Sequence, residues 1–233
     1  MDRLKSFIRS YLPFIIPVRR FVLGFILRMQ PPDKTFTAIY RTNRWKDKDS
    51  RSGPGSNLSQ TEAIRQALPV LLKGIQCASL LDIPCGDFYW MSKIDLDLQY
   101  IGADIVADII ATNRSIYARD NRRFVQLNII SDPLPKVDLI FCRDCLVHFS
   151  YAHIFTTIKN MKSSESTYLL TTTFTNRTNN IDIATGEWRT INLQRPPFNF
   201  PPPLQLIDEQ CTEGNGAYAD KALGLWKIAD LPG

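Results

Sequence analysis

The chain has 233 residues, a formal charge of +5, a hydrophobic fraction of 44% and a charged fraction of 22%. That length suits one α/β domain with an N-terminal extension and is short for two enzyme domains; the balance of residues excludes both a disordered chain and a membrane-embedded bundle. Positive charge gathers in the first 51 residues, from Arg3 to Arg51, which argues against a nucleic-acid groove across the body and for a tail that either meets an anionic surface or stays solvated.

Residues 1–30 contain apolar clusters broken by Pro13, Pro17, Arg19 and Arg20, and none reaches the roughly 18 residues of a membrane-crossing helix. Aliphatic and aromatic residues mixed with arginines suit either an interfacial segment, in peripheral contact with lipid headgroups, or a helix packed on the domain or a partner. Residues 41–57 are polar and end in Ser50-Arg51-Ser52-Gly53-Pro54-Gly55-Ser56, which reads as a loop. Residues 1–56 are therefore expected to form an extension and loop, and residues 57–233 the main domain. The five cysteines form an odd set with no clear cleavable secretory signal before them, which points to reduced thiols and a cytoplasmic setting. Cys142-x-x-Cys145 lacks the further ligands of a zinc site and the context of a redox motif, so no metal is expected.

Ser59 or Thr61 is placed to cap a helix running to about Gly74, its apolar positions Ile64, Ala67, Leu68, Leu71 and Leu72 recurring at helical spacing. Residues 78–83 form a short apolar strand stopped by Pro84-Cys85-Gly86, and residues 99–104 form the next. Val106, Ile109, Ile110, Asn113 and Tyr117 then share a helical face, followed by strands over residues 124–127 and 137–142, a helix over 154–161 and a strand over 168–174. Such alternation forces parallel pairing with right-handed crossovers. The expected fold is α/β and Rossmann-like: a doubly wound, mostly parallel sheet with helices on both faces. Residues 204–207 and 223–228 supply a closing antiparallel pair of strands. The Asn- and Pro-rich stretch at about 175–203 is too long for an idle connection and reads as an insertion on the substrate side.

In open α/β sheets ligands bind beyond the carboxyl ends of the strands. The first such end is Asp82-Ile83-Pro84-Cys85-Gly86-Asp87-Phe88, where Pro84 and Phe88 occupy positions that a dinucleotide loop gives to glycine, and Asp87 adds negative charge where a phosphate would sit. S-adenosylmethionine has no phosphate and carries a sulfonium and an ammonium, so Asp82 and Asp87 complement it by charge. The second strand ends in Asp104, about 20 positions on, the interval at which an acid reaches a ribose diol.

Residues 80–88, 100–104 and 138–144 together resemble motifs of the class I S-adenosylmethionine-dependent methyltransferases, and the resemblance covers roughly residues 57–231. It implies that the loop of Asp82, Pro84, Cys85, Gly86 and Asp87 wraps the methionine part of the donor, that Asp104 with Ile105 holds the ribose, that Asn128 and Ile129 border the adenine, and that Arg143 lies at the cofactor. Where the family more often carries an acid, this chain has Asn128, whose amide carbonyl also accepts a hydrogen bond from an exocyclic amine. The fourth strand end, residues 142–148, is where such enzymes often place groups facing the transferred methyl. Asp144 and His148 are the catalytic candidates: His148 as a base oriented by Asp144, or alternatively Asp144 as a helix cap or partner of Arg143 and His148 as a packing residue. Ser52-Gly53-Pro54-Gly55-Ser56 either folds over the donor's carboxylate or is a linker. Trp188, Arg189 and Phe198 on the insertion are candidates to bind the acceptor, a small molecule or glycan with oxygen favoured as the methylated atom. The rival functions are a nicotinamide-dependent oxidoreductase on a related fold and a non-catalytic nucleoside-binding or membrane-associated partner protein.

Overall fold

The computed structural model describes residues 30–232, so the expectation of a lipid-surface segment at residues 1–30 lies essentially outside the described residues. Seven strands form one sheet in the order β3-β2-β1-β4-β5-β7-β6: β1 (Ser79–Asp82), β2 (Gln99–Asp104), β3 (Arg122–Gln126), β4 (Leu139–Cys142), β5 (Tyr168–Phe174), β6 (Gln205–Asp208) and β7 (Lys221–Lys227). Strands β1 to β5 pair in parallel, whereas β7 runs antiparallel to both β5 and β6. The strand order reverses between β1 and β4, and their carboxyl ends flank the crevice where such sheets take ligands.

Alternation along the strands divides the core into two layers. Leu80, Tyr100, Leu139 and Leu170 face one side, where they meet Ile64, Leu68, Leu71 and Leu72 of helix Glu62–Gly74 and Ile110 of helix Ala107–Tyr117. Leu81, Ile101, Ile140 and Leu169 face the other and pack on Ile154, Ile158 and Met161 of helix Tyr151–Ser163. Ser150 caps that last helix by accepting from the His153 amide at 3.3 Å. The helices therefore cover both faces, and the fold is the Rossmann-like, doubly wound sheet with a closing antiparallel pair.

Three local features depart from the reading of the sequence. Pro32–Arg41 is an α-helix, started by Pro31 and Pro32 with φ fixed for the first turn and held by buried Thr35 and Ile39. Thr61 does begin helix Glu62–Gly74, but its hydroxyl turns back to donate to the Asn57 carbonyl at 2.7 Å instead of capping the amides ahead of it. Between β1 and β2 there is no α-helix: Phe88, Trp90, Met91, Ile94, Leu96 and Leu98 cover the sheet from an irregular segment with one short 3-10 turn at Met91–Lys93.

The insertion is part of the second layer. Ile191, Leu193, Phe198 and Phe200 are buried against Phe174, Trp226 and Ile228. Among the described residues, no helix is long and apolar enough to cross a membrane.

Candidate functional site

A cleft with a cavity volume of about 140 Å³ lies at the reversal point, lined from three directions. The strand ends supply Asp82, Pro84, Cys85, Gly86, Asp87, Asp104, Ile105, Asn128 and Ile129, and the segment after β4 supplies Arg143, Asp144 and His148. The third wall consists of Phe36, Tyr40, Trp45, Arg51, Ser52 and Ser56 from the first helix and the loop behind it.

The turn after β1 is built around two acids. Asp104 accepts from the Gly86 amide at 3.2 Å and from the Val106 amide at 2.9 Å, so it pins the first loop to the end of β2. Burial raises its pKa to about 6, against the pull of those backbone donors. Asp82 accepts the Tyr100 hydroxyl; burial pushes its carboxyl up to about 8, the Tyr100 hydrogen bond opposes that rise and the Asp104 charge adds to it. Asn113 donates to the Gly86 carbonyl at 2.7 Å and fastens the loop from the neighbouring helix.

Gly86 has φ +52°, and a Cβ there would stand 2.2 Å from Ser52 Oγ. Glycine lets the Ser50–Ser52 loop close onto the turn. Asp87 is the bolt: its carboxylate accepts from Ser50 Oγ at 2.9 Å and from the Arg51 amide at 2.8 Å, while its own amide donates to Ser52 Oγ at 3.0 Å. Asp87 thus clamps the loop through neutral donors while lining the cleft. The clamp carries the Arg51 side chain to the rim, with the guanidinium 5.5 Å from the Tyr40 ring centroid.

Arg143 and Asp144 belong to a buried ionic group. Arg143 donates to Glu209 from Nε at 3.2 Å and from Nη2 at 2.7 Å, and Nη2 also reaches the Gly55 carbonyl at 2.8 Å. Its Nη1 lies 3.4 Å from Asp144, and Lys221 Nζ lies 2.7 Å from Asp144 and 3.3 Å from Glu209. Arg143 lines the cleft as a strut, its nitrogens engaged by protein acceptors. Burial disfavours the charge on Asp144, but Lys221 and Arg143 outweigh it and hold the carboxyl at about 2. Gly55 approaches this group so closely that a Cβ would come within 3.3 Å of Asp144 and 3.4 Å of Glu213.

His148 is oriented differently from the expectation. Its Nδ1 lies 2.8 Å from the Glu187 carbonyl, an acceptor, so Nδ1 carries the hydrogen and Nε2 keeps its lone pair. Asp144 is turned to Lys221 and makes no hydrogen bond to the ring; the expected Asp144–His148 dyad is replaced by a backbone carbonyl of the insertion. Burial lowers the His148 pKa below its ordinary value, the Glu187 bond and the Asp144 charge partly opposing. The ring stands 5.4 Å from that of Trp45.

The three acceptor-side candidates separate. Trp188 is 44% exposed and lines a second cavity beside the cleft, with Trp45, Asp144, His148, Tyr218 and Lys221. Arg189 is corrected to a fastener: buried, it donates to the carbonyls of Ile181, Leu146 and Phe149 at 3.0, 2.8 and 2.9 Å, tying the insertion to the segment that holds His148. Phe198 is corrected to a core residue, 0% exposed between the rings of Tyr151 and Phe155. The sequence reading did not find Phe36, Tyr40, Trp45 and Arg51, which lie in and just after an unforeseen helix, nor Glu213, Tyr218 and Lys221 beside the closing strands. For Trp45 and Arg51 the one signal is a tryptophan among the arginines of an otherwise polar stretch. The cysteines are free thiols, and Cys85, Cys142, Cys145 and Cys211 are buried.

No family model matches the chain, and no curated protein is similar to it in sequence. Solved structures do resemble it. The N-methyltransferase NodS from Bradyrhizobium japonicum WM9 aligns at 14% identity with a TM-score of 0.52, over 74% of this chain and 98% of NodS. Human N-acetylserotonin methyltransferase, solved in complex with SAM, aligns at 15% identity and TM-score 0.48 over 85% of this chain and 60% of that one. The methyltransferase domain of bacterial CtHen1 aligns at 11% identity and TM-score 0.43, and the match spans 66% of that domain. The NodS likeness, together with the strand order and the reversed β7, shows that the chain shares the fold of that structure, a Rossmann-like doubly wound sheet.

Proposed function

We propose that the chain transfers a methyl group from S-adenosylmethionine to a small-molecule or glycan acceptor, with oxygen as the favoured acceptor atom. The observation that carries this reading is the meeting of two cavities at His148: a strand-end cleft with buried acids, and a second chamber sharing His148, Asp144, Trp45, Ser52 and Ser56.

The residues of the cleft fit the donor. In this reading Asp104, at the end of β2, accepts hydrogen bonds from the ribose hydroxyls. Asp82 lies beside the first turn and becomes a counter-charge for a cation when one displaces its proton. Arg51 offers a guanidinium at the rim for the donor's carboxylate. Asn128 and Ile129 border the place for adenine, although Asn128 Oδ1 already accepts from the Ile130 amide at 3.0 Å, leaving one lone pair and the amide hydrogens. A dinucleotide fits poorly, because no α-helix N-terminus follows the turn after β1 to receive a pyrophosphate.

When bound, S-adenosylmethionine supplies an electrophilic methyl carbon on a sulfonium. The protein's contribution is alignment across the shared wall and removal of the acceptor's proton. His148 serves the second task through Nε2: the Glu187 carbonyl fixes the tautomer, and burial keeps the ring neutral near pH 7. The test is isothermal titration of the full chain with S-adenosylmethionine and S-adenosylhomocysteine, with NAD and NADP as controls. Saturable binding of the first two alone, weakened about tenfold or more in Asp104→Ala, supports the reading. Preference for a dinucleotide refutes it.

A further inference from the structure

The second chamber has a chemistry of its own. Trp45, Phe174, Trp188 and Tyr218 contribute aromatic surface, while Asp144, Glu213 and Lys221 are polar. We propose that this chamber binds the acceptor, and that the acceptor is an uncharged carbohydrate ring presenting a free hydroxyl to His148. The proposal rests on the methyl-transfer reading above.

Charge narrows the class first. Lys221 is the only cation among the described residues lining the chamber, and its buried ammonium is already held by Asp144 and Glu209. A phosphate or carboxylate would therefore meet Asp144 and Glu213 with no uncommitted cation among the described lining residues to receive it. Lys221 and Arg143 offset the charge of Asp144, and among the described residues lining the chamber Glu213 alone stands outside the ion pairs, so an amine is the alternative that tyramine tests. An uncharged ligand with many hydroxyls suits carboxylates that accept hydrogen bonds without needing a counter-ion.

The aromatic surface narrows it further. Trp188 meets Tyr218 at 5.0 Å and 70° and Phe174 at 6.4 Å and 84°, edge-to-face contacts that leave the indole 44% exposed. A sugar ring has an apolar C–H face for such a surface and a hydroxylated rim for the carboxylates, the combination of apolar wall and few placed polar groups that defines a small-molecule site. The transfer then balances: the acceptor oxygen bonds to the methyl carbon as the carbon–sulfur bond of the sulfonium donor breaks, the bonding pair stays on sulfur, and the hydroxyl proton passes to His148 Nε2.

The experiment is saturation-transfer NMR on the full chain with methyl α-D-glucopyranoside, methyl β-D-galactopyranoside, methyl α-D-mannopyranoside and methyl α-L-rhamnopyranoside, each with and without S-adenosylhomocysteine. Tyramine and glucose 6-phosphate serve as cationic and anionic comparisons. The expected result is saturation of the ring protons of at least one glycoside, a loss of affinity of about tenfold or more in Trp188→Ala, and retention in Trp188→Phe. S-adenosylhomocysteine affinity should stay unchanged in both variants, since Trp188 does not line the donor cleft. Absence of glycoside binding, binding indifferent to Trp188→Ala, or preference for tyramine or glucose 6-phosphate overturns the proposal. Trp188-dependent glycoside binding without any S-adenosylhomocysteine binding refutes the donor reading and supports the sugar site.

Discussion

Glu209→Gln removes one charge from the buried group that locks β4 to β6 and β7. Glu209 is 2% exposed, takes two hydrogen bonds from Arg143 and an ion-pair contact from Lys221 at 3.3 Å. With glutamine there, Arg143 and Lys221 share Asp144 as the one anion of the group. Breaking a buried pair by removing one partner costs about 3–5 kcal/mol. Both Arg143 hydrogen bonds end on Oε2, and the glutamine amide oxygen can still accept them, which puts the expected loss at the lower end, about 3 kcal/mol. For a chain of this size, each kcal/mol shifts the thermal midpoint by about 2–4 °C, so the midpoint should fall by about 6–12 °C. The assay is thermal unfolding followed by circular dichroism, with urea titration as a second measure. Arg143→Met/Glu209→Leu removes one charge of each sign and leaves Lys221 paired to Asp144, so it should be more stable than Glu209→Gln. A Glu209→Gln midpoint within about 2 °C of the parent, or a double variant no better than the single one, would refute the reasoning.

His148→Gln should lower kcat by about 100-fold or more with S-adenosylhomocysteine affinity unchanged. Because burial depresses the His148 pKa, the acid limb of the parent's kcat/KM profile for the acceptor, at saturating donor, should lie below pH 6.5, and unchanged turnover in the variant with chemistry limiting would remove His148 from the mechanism. Arg51→Gln should shrink the preference for S-adenosylhomocysteine over 5′-methylthioadenosine, which lacks the carboxylate, by about tenfold; an unchanged ratio in calorimetry would free Arg51 of that role. Gly86→Ala should destabilise by about 2–3 kcal/mol in urea, combining left-handed backbone with collision against Ser52. The same substitution in a Ser52→Gly background should cost less, and equal costs in the two backgrounds would show that Ser52 is not the obstacle.

The sheet was legible because its strands are short apolar runs ended by Pro84-Cys85-Gly86, Asp104 and Arg143-Asp144, and a strand end before a turn is a local property. So were the acids Asp82 and Asp104, whose spacing follows from one crossover between adjacent strands. The helix Pro32–Arg41 was missed because its apolar residues Phe36, Ile39 and Tyr40 cover barely one turn of the spacing that marks a helix face, and tertiary contacts supply the rest of its stability. The third wall of the cleft was invisible for a related reason. Arg51 reaches the rim through Asp87, a clamp between residues 36 positions apart that no periodicity encodes.

Charge roles were the least predictable. Arg143 and Arg189 look like ligand contacts in a strand-end motif and an aromatic insertion, and each is held by protein acceptors. Which ion pairs form depends on side chains brought together from β4, β6 and β7, and a buried charge takes whichever partner the fold delivers. Sequence determined the sheet, its order of turns and the acids at its ends, because these follow from local alternation and short-range spacing. Only the tertiary structure decided that His148 is held by the Glu187 carbonyl, that the insertion forms part of the core, and that two cavities meet at one imidazole.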